Sequence, residues 1–497
     1  MRQLFNSVFS VIILAVCIEA GHAQIMYTDS LFSANDSLLD VYQYQIPEDY
    51  NPDVPAALLV GWHQWGGDAG QFFGTPFAAE ANNRGWIALG AWGGNSTNWT
   101  NQDTQEWMQV IIETVTQQWN IDWQRIYMVG GSMGGASGMI YANNHLDPTR
   151  PMVAATASAS GILDDERRFI EQGNNNSMIE MFGGTWEEVP FTYHRNSAIY
   201  FADSTNSMHS NLWHVPSYLT YGTNEVEHQY HALDLFAVLD PFVDDVFIGA
   251  TTAGHGWGVF DVPHVCDWLQ QFTLTIDPDA IAISADEDSR SYWTGVRLSA
   301  LEVFGHYSAQ RSSWNDMGIR YELSGLNNVE EIYLEEFENG NDPEMALQVV
   351  VGSADSEFRL GIIRDHLQIE REAFLTRNGE TVWDWEDWPL NDTLSLTVAA
   401  FDTLELLFEP EAVAPEIAPV HPRSRLEVTP VLNGVQLNWG TGPAVVVVYD
   451  LLGRELLRIE ADRVPFLLHT YDFASGSYFL QAETAQGAQF GRFIVRH

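Results

Sequence analysis

The segment 125–138, RIYMVGGSMGGASG, limits what this chain can fold into more than any other stretch. Ile126, Tyr127, Met128 and Val129 form a short apolar run of the kind a buried strand uses. Gly130-Gly131-Ser132-Met133-Gly134 follows, and then a helix-compatible run through Tyr141. The order is strand, sharp turn, helix. A serine on so sharp a turn sits in strained backbone with its hydroxyl held above the sheet, and small residues two before and two after it let strand and helix pass closely. Gly130 and Gly134 fill those places, and Gly135 adds room. The helix N-terminus also aims backbone N–H groups at the reaction centre. Ser132 is therefore the candidate nucleophile. The plain alternative is a glycine-rich turn carrying an idle serine.

A serine hydroxyl needs a base within hydrogen-bond reach and an acid to orient that base. On a parallel sheet of this kind the three arrive in the order serine, acid, histidine. His255 follows the apolar run Val246–Ala250 and lies between two glycines, which makes it the candidate base among 15 histidines. His145, His228 and His231 read as surface or helix residues. Glu225 comes directly after the strand-like Ser217–Tyr221 and three residues after Gly222, the place for an orienting carboxylate. Glu227 is its near rival, with Asp244 and Asp245 further off. The oxyanion needs two fixed donors. The N–H of Met133 is one. The other is expected from the loop His63-Gln64-Trp65-Gly66-Gly67, with the Trp65 N–H preferred and Gln64 second. Trp65, Trp92, Trp99 and Trp257 crowd the same strand-end loops. Trp257, Trp65 and Trp92 are the candidate substrate-binding faces for sugar rings or aromatic acyl groups; the plainer role for such residues is core packing.

The chain has 497 residues, enough for about three domains. Strand-like runs alternate with helical ones from Ala56 to Phe272: Thr104–Trp119 and His228–Leu239 read as helices, and Asp267–Phe272 as the closing helix. This predicts a mostly parallel sheet flanked by helices. Residues 24–43 read as a lead-in, and Asp164–Ser210 as a polar, irregular excursion or cap. From about 274 the pattern becomes short alternating runs with turns between, an all-β module. Residues 410–425 are Pro-rich and read as a linker. Residues 426–497 form a second small β unit.

Lys+Arg total 22 against 67 Asp+Glu, a net charge of −45, and all the basic residues besides histidine are arginines. Such a surface repels nucleic acid and anionic membranes. Residues 1–23 have the form of a secretory signal: Arg2, an apolar core from Val8 to Val16, and Gly21-His22-Ala23 before Gln24. The apolar run is too short to span a membrane. After cleavage only Cys266 remains, so no intramolecular disulfide is expected, and no Cys/His spacing points to a metal.

Taken together, the His63 loop, Ile121-Asp122 with Arg125-Ile126-Tyr127, Gly131-Ser132-Met133-Gly134-Gly135, Gly222-Thr223-Asn224-Glu225 and Gly254-His255-Gly256-Trp257 resemble the secreted esterases of the polyhydroxybutyrate depolymerase and feruloyl esterase group. The resemblance covers about residues 45–272. It implies an α/β-hydrolase fold, a triad of Ser132, Glu225 and His255, and carboxylic ester cleavage through an acyl-enzyme without metal or cofactor. Gln64 stands where that group usually has glycine, and Glu225 where it usually has aspartate. Val448-Tyr449-Asp450, Gly453-Arg454, Gly476–Leu480 and Phe490–Val495 resemble the sorting domain of the type IX secretion system. That implies export through the periplasm and outer membrane by that machinery, to the medium or the cell surface. The resulting expectation is a signal peptide (1–23), an α/β-hydrolase catalytic domain (24–273), a β-sandwich-like domain (274–409), a linker (410–425) and a C-terminal β sorting domain (426–497). The expected substrate is an ester-substituted polysaccharide, feruloylated or acetylated. The alternatives are a serine peptidase on the same fold and a non-catalytic glycan-binding surface protein with a decayed hydrolase domain.

Overall fold

The computed structural model describes residues 25–173, 176–314, 318–334, 346–363, 373–384, 393–408, 426–431, 434–439, 442–449, 455–470, 473, 476–484 and 487–495. The expected signal peptide and the Pro-rich linker lie outside the described residues, as do Asp450, Gly453 and Arg454.

Eight strands build the N-terminal sheet: β1 (Ile25–Phe32), β2 (Leu38–Ile46), β3 (Ala56–Trp62), β4 (Ile87–Ala91), β5 (Ile121–Gly131), β6 (Ala155–Ala159), β7 (Ser217–Gly222) and β8 (Val246–Thr251). Their spatial order is β1-β2-β4-β3-β5-β6-β7-β8. The first two pair antiparallel, and β2 meets β4 antiparallel; every later pairing is parallel. Helices α1 (Pro76–Asn83), α2 (Gln102–Gln118), α3 (Met133–Asn144), α7 (Val226–Leu239) and α8 (Val262–Leu269) cross between or follow the strands. This strand order and connectivity is the α/β-hydrolase fold.

The central strands are buried along their length. In β3, Leu58, Leu59 and Val60 are wholly inaccessible, as are Met128 and Val129 of β5. Each such side chain contributes about 1.5–3 kcal/mol relative to exposure, so a near-continuous apolar run is what a strand covered on both faces requires. Asn101 caps α2, its side chain accepting from the Thr104 N–H. Asp261 caps α8 in the same manner, with a proline in the first turn.

Three local expectations change. Residues 24–43 are not a lead-in: they hold β1 and most of β2, which extend the sheet edge. Alternation in β2 buries Asp40, Tyr42, Tyr44 and Ile46, and an aspartate in the core-facing register concealed it. The closing helix begins five residues earlier than expected, because Asp261 and Pro263 supply a start signal. Residues 164–210 are not irregular. They contain α4 (Asp165–Gln172), α5 (Asn176–Phe182) and α6 (Pro190–Arg195). Phe169, Met178, Phe182 and Tyr193 from these helices form a satellite core with Trp99, Met133 and Ile162. One or two buried apolar residues per helix are too few to give a readable period.

Residues 280–408 supply a five-stranded and a seven-stranded sheet, and residues 427–495 a three-stranded and a four-stranded sheet. The first pair shares one apolar core with the hydrolase sheet, running from Leu59, Val129 and Leu146 through Tyr292 and Tyr307 to Leu360. Polar contacts reinforce that junction. The Tyr292 N–H donates to the Leu146 carbonyl at 2.8 Å. Asn211 both donates to the Ser284 carbonyl and accepts from its N–H, each at 2.8 Å. His214 accepts from the Ala282 N–H at 3.1 Å. Arg195 of α6 pairs with Asp286, both side chains about 10% exposed. Among the described residues no helix is long and apolar enough to cross a membrane.

Candidate active site

Ser132 sits between the end of β5 and the start of α3 with φ 57° and ψ −124°. An L-residue occupies that region only when its surroundings hold it there. The flanking glycines show what enforces the turn. A Cβ on Gly130 would overlap the Gly134 carbonyl, and one on Gly134 would overlap the Trp62 carbonyl and reach within 2.5 Å of the His63 carbonyl. All of these are backbone atoms, so no rotamer change relieves them. The Ser132 N–H donates to the Ala159 carbonyl at 2.8 Å, and its carbonyl accepts from Gly135 and Ile162. Ser132 is 6% exposed. It lines an open cleft of about 270 Å³ with Trp65, Trp99, Ile162 and, from α4 and α5, Arg168, Gln172 and Ser177.

Glu225 and His255 lie past the C-terminal ends of β7 and β8, as the loops of a parallel sheet place them. His255 Nδ1 and Glu225 Oε1 are directly hydrogen-bonded. Gly222 leaves space for that carboxylate: a Cβ there would lie 2.9 Å from Glu225 Oε2 and 3.0 Å from the Ala253 carbonyl. Gly131, next to the serine, packs against the segment after His255, and a Cβ on it would meet the Trp257 N–H nitrogen at 2.8 Å. The elbow and the histidine loop therefore touch through backbone. Glu227 points elsewhere, holding Arg168 at 2.7 Å.

The carboxylate has a second partner that motif reasoning missed. Ser160, one residue past β6, donates from Oγ to Glu225 Oε2 at 2.6 Å. Ser160 is inaccessible, has φ 49°, and its N–H donates to the Thr220 carbonyl at 2.8 Å. The sequence signal was faint: a serine at the end of a core strand with no surrounding motif.

The His63 loop is fixed from within. His63 Nδ1 lies 2.7 Å from the Gln64 carbonyl, and Nε2 lies 3.1 Å from Asn98 Nδ2. Nε2 also lies 2.8 Å from the Trp92 carbonyl. The Gln64 N–H donates to Gln71 Oε1 at 2.6 Å. The Trp65 N–H makes no hydrogen bond among the described residues. Met133 opens α3, so its N–H has no partner one turn back within the helix. Of the two loop candidates, then, Gln64 has its amide occupied and Trp65 does not.

The tryptophans divide. Trp65 is 57% exposed at the cleft, and its indole N–H donates to Ser177 Oγ. Trp99 is buried against the same cleft and donates to the same hydroxyl at 2.9 Å. Trp257 packs edge-on and tilted among Phe72, Phe77 and Phe260, and its indole N–H donates to Gln71 Oε1. Trp92 supplies its carbonyl to the His63–Asn98 cluster. Neither of these two is among the residues that line the cleft beside Ser132.

The remaining histidines separate too. His145 is half-buried and stacked on Tyr141, where desolvation pulls its pKa to about 3. His231 accepts from the Leu163 N–H in the core. His228 stands on α7, partly buried: its ring lies 4.5 Å from that of His255, and burial, then the His255 charge, lower its pKa to about 3. Burial raises the Cys266 thiol to about 12, so it stays protonated.

No protein-family model matches this chain. Over 126 residues it is 29% identical to a bifunctional acetylxylan esterase/xylanase of Neocallimastix patriciarum; the match covers 24% of this chain and 18% of that protein. The chain thus spans under a fifth of the relative's length. Half of the chain is similar to 99% of a ferulic acid esterase structure, at 14% identity and a TM-score of 0.41. The fluorophosphonate-binding serine hydrolase FphF of Staphylococcus aureus gives 13% identity and 0.40, covering 50% of this chain and 98% of that one. An acetyl xylan esterase from Paenibacillus sp. R4 gives 12% and 0.37, over 55% and 90%.

Proposed function

We propose that this protein is a serine carboxylic ester hydrolase acting on ester-substituted polysaccharides. Ser132 attacks the ester carbonyl, His255 takes the serine proton and returns it to the leaving alcohol, and Glu225 holds the imidazole by its Nδ1–H. The oxyanion that forms is received by the N–H groups of Met133 and Trp65. Water then hydrolyses the acyl-enzyme with His255 again as base. The observation that carries this reading is the strained Ser132 backbone at the floor of an open cleft, next to a histidine loop whose imidazole is bonded to a carboxylate.

The exposed face of Trp65 at the cleft mouth supports a sugar-bearing substrate, since a flat aromatic surface stacks on a pyranose ring. The name of the partial fungal relative points the same way. The type IX-like C-terminal unit and the N-terminal signal support secretion to the medium or cell surface.

The test is hydrolysis of p-nitrophenyl acetate, p-nitrophenyl butyrate and methyl ferulate by the full chain and by Ser132→Ala. Turnover that vanishes in the variant is the expected result. A parent inert on all three esters, and unlabelled by a serine-directed phosphonate, would overturn the proposal in favour of a glycan-binding role.

A further inference from the structure

We infer that Glu225, His228 and His255 form a three-ligand site for a divalent transition-metal ion of the zinc type, and that filling it switches off the hydrolysis proposed above. The inhibitory half of this inference rests on that proposal; the metal site does not.

One ligand atom from each of the three residues lies within 4.8 Å of the other two. Around a tetrahedral zinc with bonds near 2.0–2.1 Å, ligand atoms stand roughly 3.4 Å apart. No separation therefore has to shrink by more than about 1.4 Å, within reach of side-chain torsions. Two imidazoles and one carboxylate are a donor set that suits zinc, with a fourth position left for water.

Local structure favours the arrangement. Glu225 holds the N-cap position of α7 and His228 stands three residues on, so both lie at the same end of that helix. The Glu-x-x-His spacing is one that metal sites on helices use for this reason. His255 reaches the same point from the loop after β8, and its ring lies 4.5 Å from that of His228. His228 Nδ1 is shielded from solvent and has no hydrogen-bond partner among the described residues. A buried ring nitrogen without a partner is costly, and a metal ion satisfies it. His255 is 39% exposed, which leaves an entry path. Ser160 Oγ, donating to Glu225 Oε2, is the kind of outer contact that orients a ligating carboxylate. Arg168, at the same end of α7, is held by Glu227 at 2.7 Å and Glu171 at 3.6 Å. The net charge of −45 draws cations to the surface as a whole.

Inhibition follows from the lone pairs of His255. Bound through Nδ1, the metal takes that lone pair and the ring proton moves to Nε2, which then cannot accept a proton from Ser132. Bound through Nε2, the metal occupies the accepting lone pair itself. Either way the base is lost without any covalent change, and a chelator restores it.

The experiment titrates zinc chloride in a non-chelating buffer into the full chain, Ser132→Ala, His228→Ala and the volume-preserving His228→Gln. Heat of binding and p-nitrophenyl acetate hydrolysis are the two readouts. We expect one tight site in the parent and in Ser132→Ala, weakened about tenfold or more in both His228 variants. Parent hydrolysis falls as the site fills and returns with EDTA, and the inhibition constant rises about tenfold or more in the His228 variants. Equal zinc affinity in parent and His228 variants would overturn the site. Zinc that binds there and leaves the rate unchanged would overturn the inhibition. A parent that hydrolyses nothing, yet loses its zinc site on substitution of His228, would refute the esterase reading and leave the metal site standing.

Discussion

Removing the Ser160 hydroxyl tests whether the carboxylate behind His255 is held for catalysis. Ser160 Oγ donates to Glu225 Oε2 at 2.6 Å, while Oε1 takes the histidine. Hydrogen bonds to charged groups contribute about 1.5–3 kcal/mol, which at 1.36 kcal/mol per decade spans roughly 10- to 150-fold in rate. Glu225 is 16% exposed, so water replaces part of the lost contact and the lower end applies. Ser160→Ala is expected to lower kcat/KM for p-nitrophenyl acetate about tenfold, mainly through kcat. A second variant separates activity from stability. Ser160 has φ 49°, a region that costs an L-residue about 1–2 kcal/mol and glycine nothing. Ser160→Gly should therefore melt higher than Ser160→Ala while showing the same loss of rate. If both variants stay within twofold of the parent, the Glu225 carboxylate does not depend on Ser160 and the reasoning fails.

Other consequences can be checked separately. Burial raises the Asp40 carboxyl from 3.8 to about 6, with backbone N–H groups only partly opposing it. A pKa raised on folding means stability fully present below about pH 3.8 and lost as pH climbs through about 6, so Asp40→Asn should raise the melting temperature more at pH 8 than at pH 4. Arg195 and Asp286 are both nearly buried; Arg195→Ala strands a carboxylate and should cost about 3–5 kcal/mol in denaturant unfolding, whereas the double change Arg195→Met, Asp286→Leu should recover most of it. Trp65→Ala should raise KM for an acetylated xylan about tenfold, more than it lowers kcat, if the exposed ring stacks on the sugar.

The elbow was readable in the sequence because its demands are absolute. No residue but glycine clears the backbone at positions 130 and 134, so Gly-x-Ser-x-Gly after an apolar run left little else to consider. That Glu225 and His255 stand in the loops after β7 and β8 was readable from the apolar runs before them. Ser160 and His228 were not. Their significance depends on which strand ends and helix faces become neighbours, and that is fixed by sheet order, not by local pattern. The helices over the cleft escaped notice for a related reason: α4, α5 and α6 each bury only a few apolar residues, and the core they share exists only when all three meet Trp99, Met133 and Ile162. Asp40 hid β2 by standing where alternation calls for an apolar side chain.

The seam between the hydrolase sheet and the β-strands after it has a bearing on how such a chain can be divided. Cutting after residue 273 would not release a minimal enzyme. It would bare the apolar floor that Tyr292, Tyr307 and their neighbours cover. It would also leave the Leu146 carbonyl, the Asn211 side-chain oxygen, the His214 ring and the Arg195 guanidinium without the counterparts they have across the seam. Arg195 ends α6, whose Tyr193 packs with residues of α4 and α5, the helices that line the cleft beside Ser132, so those helices are propped from beyond the N-terminal sheet. A cut at residue 273 therefore divides a core that described residues on both sides of it share.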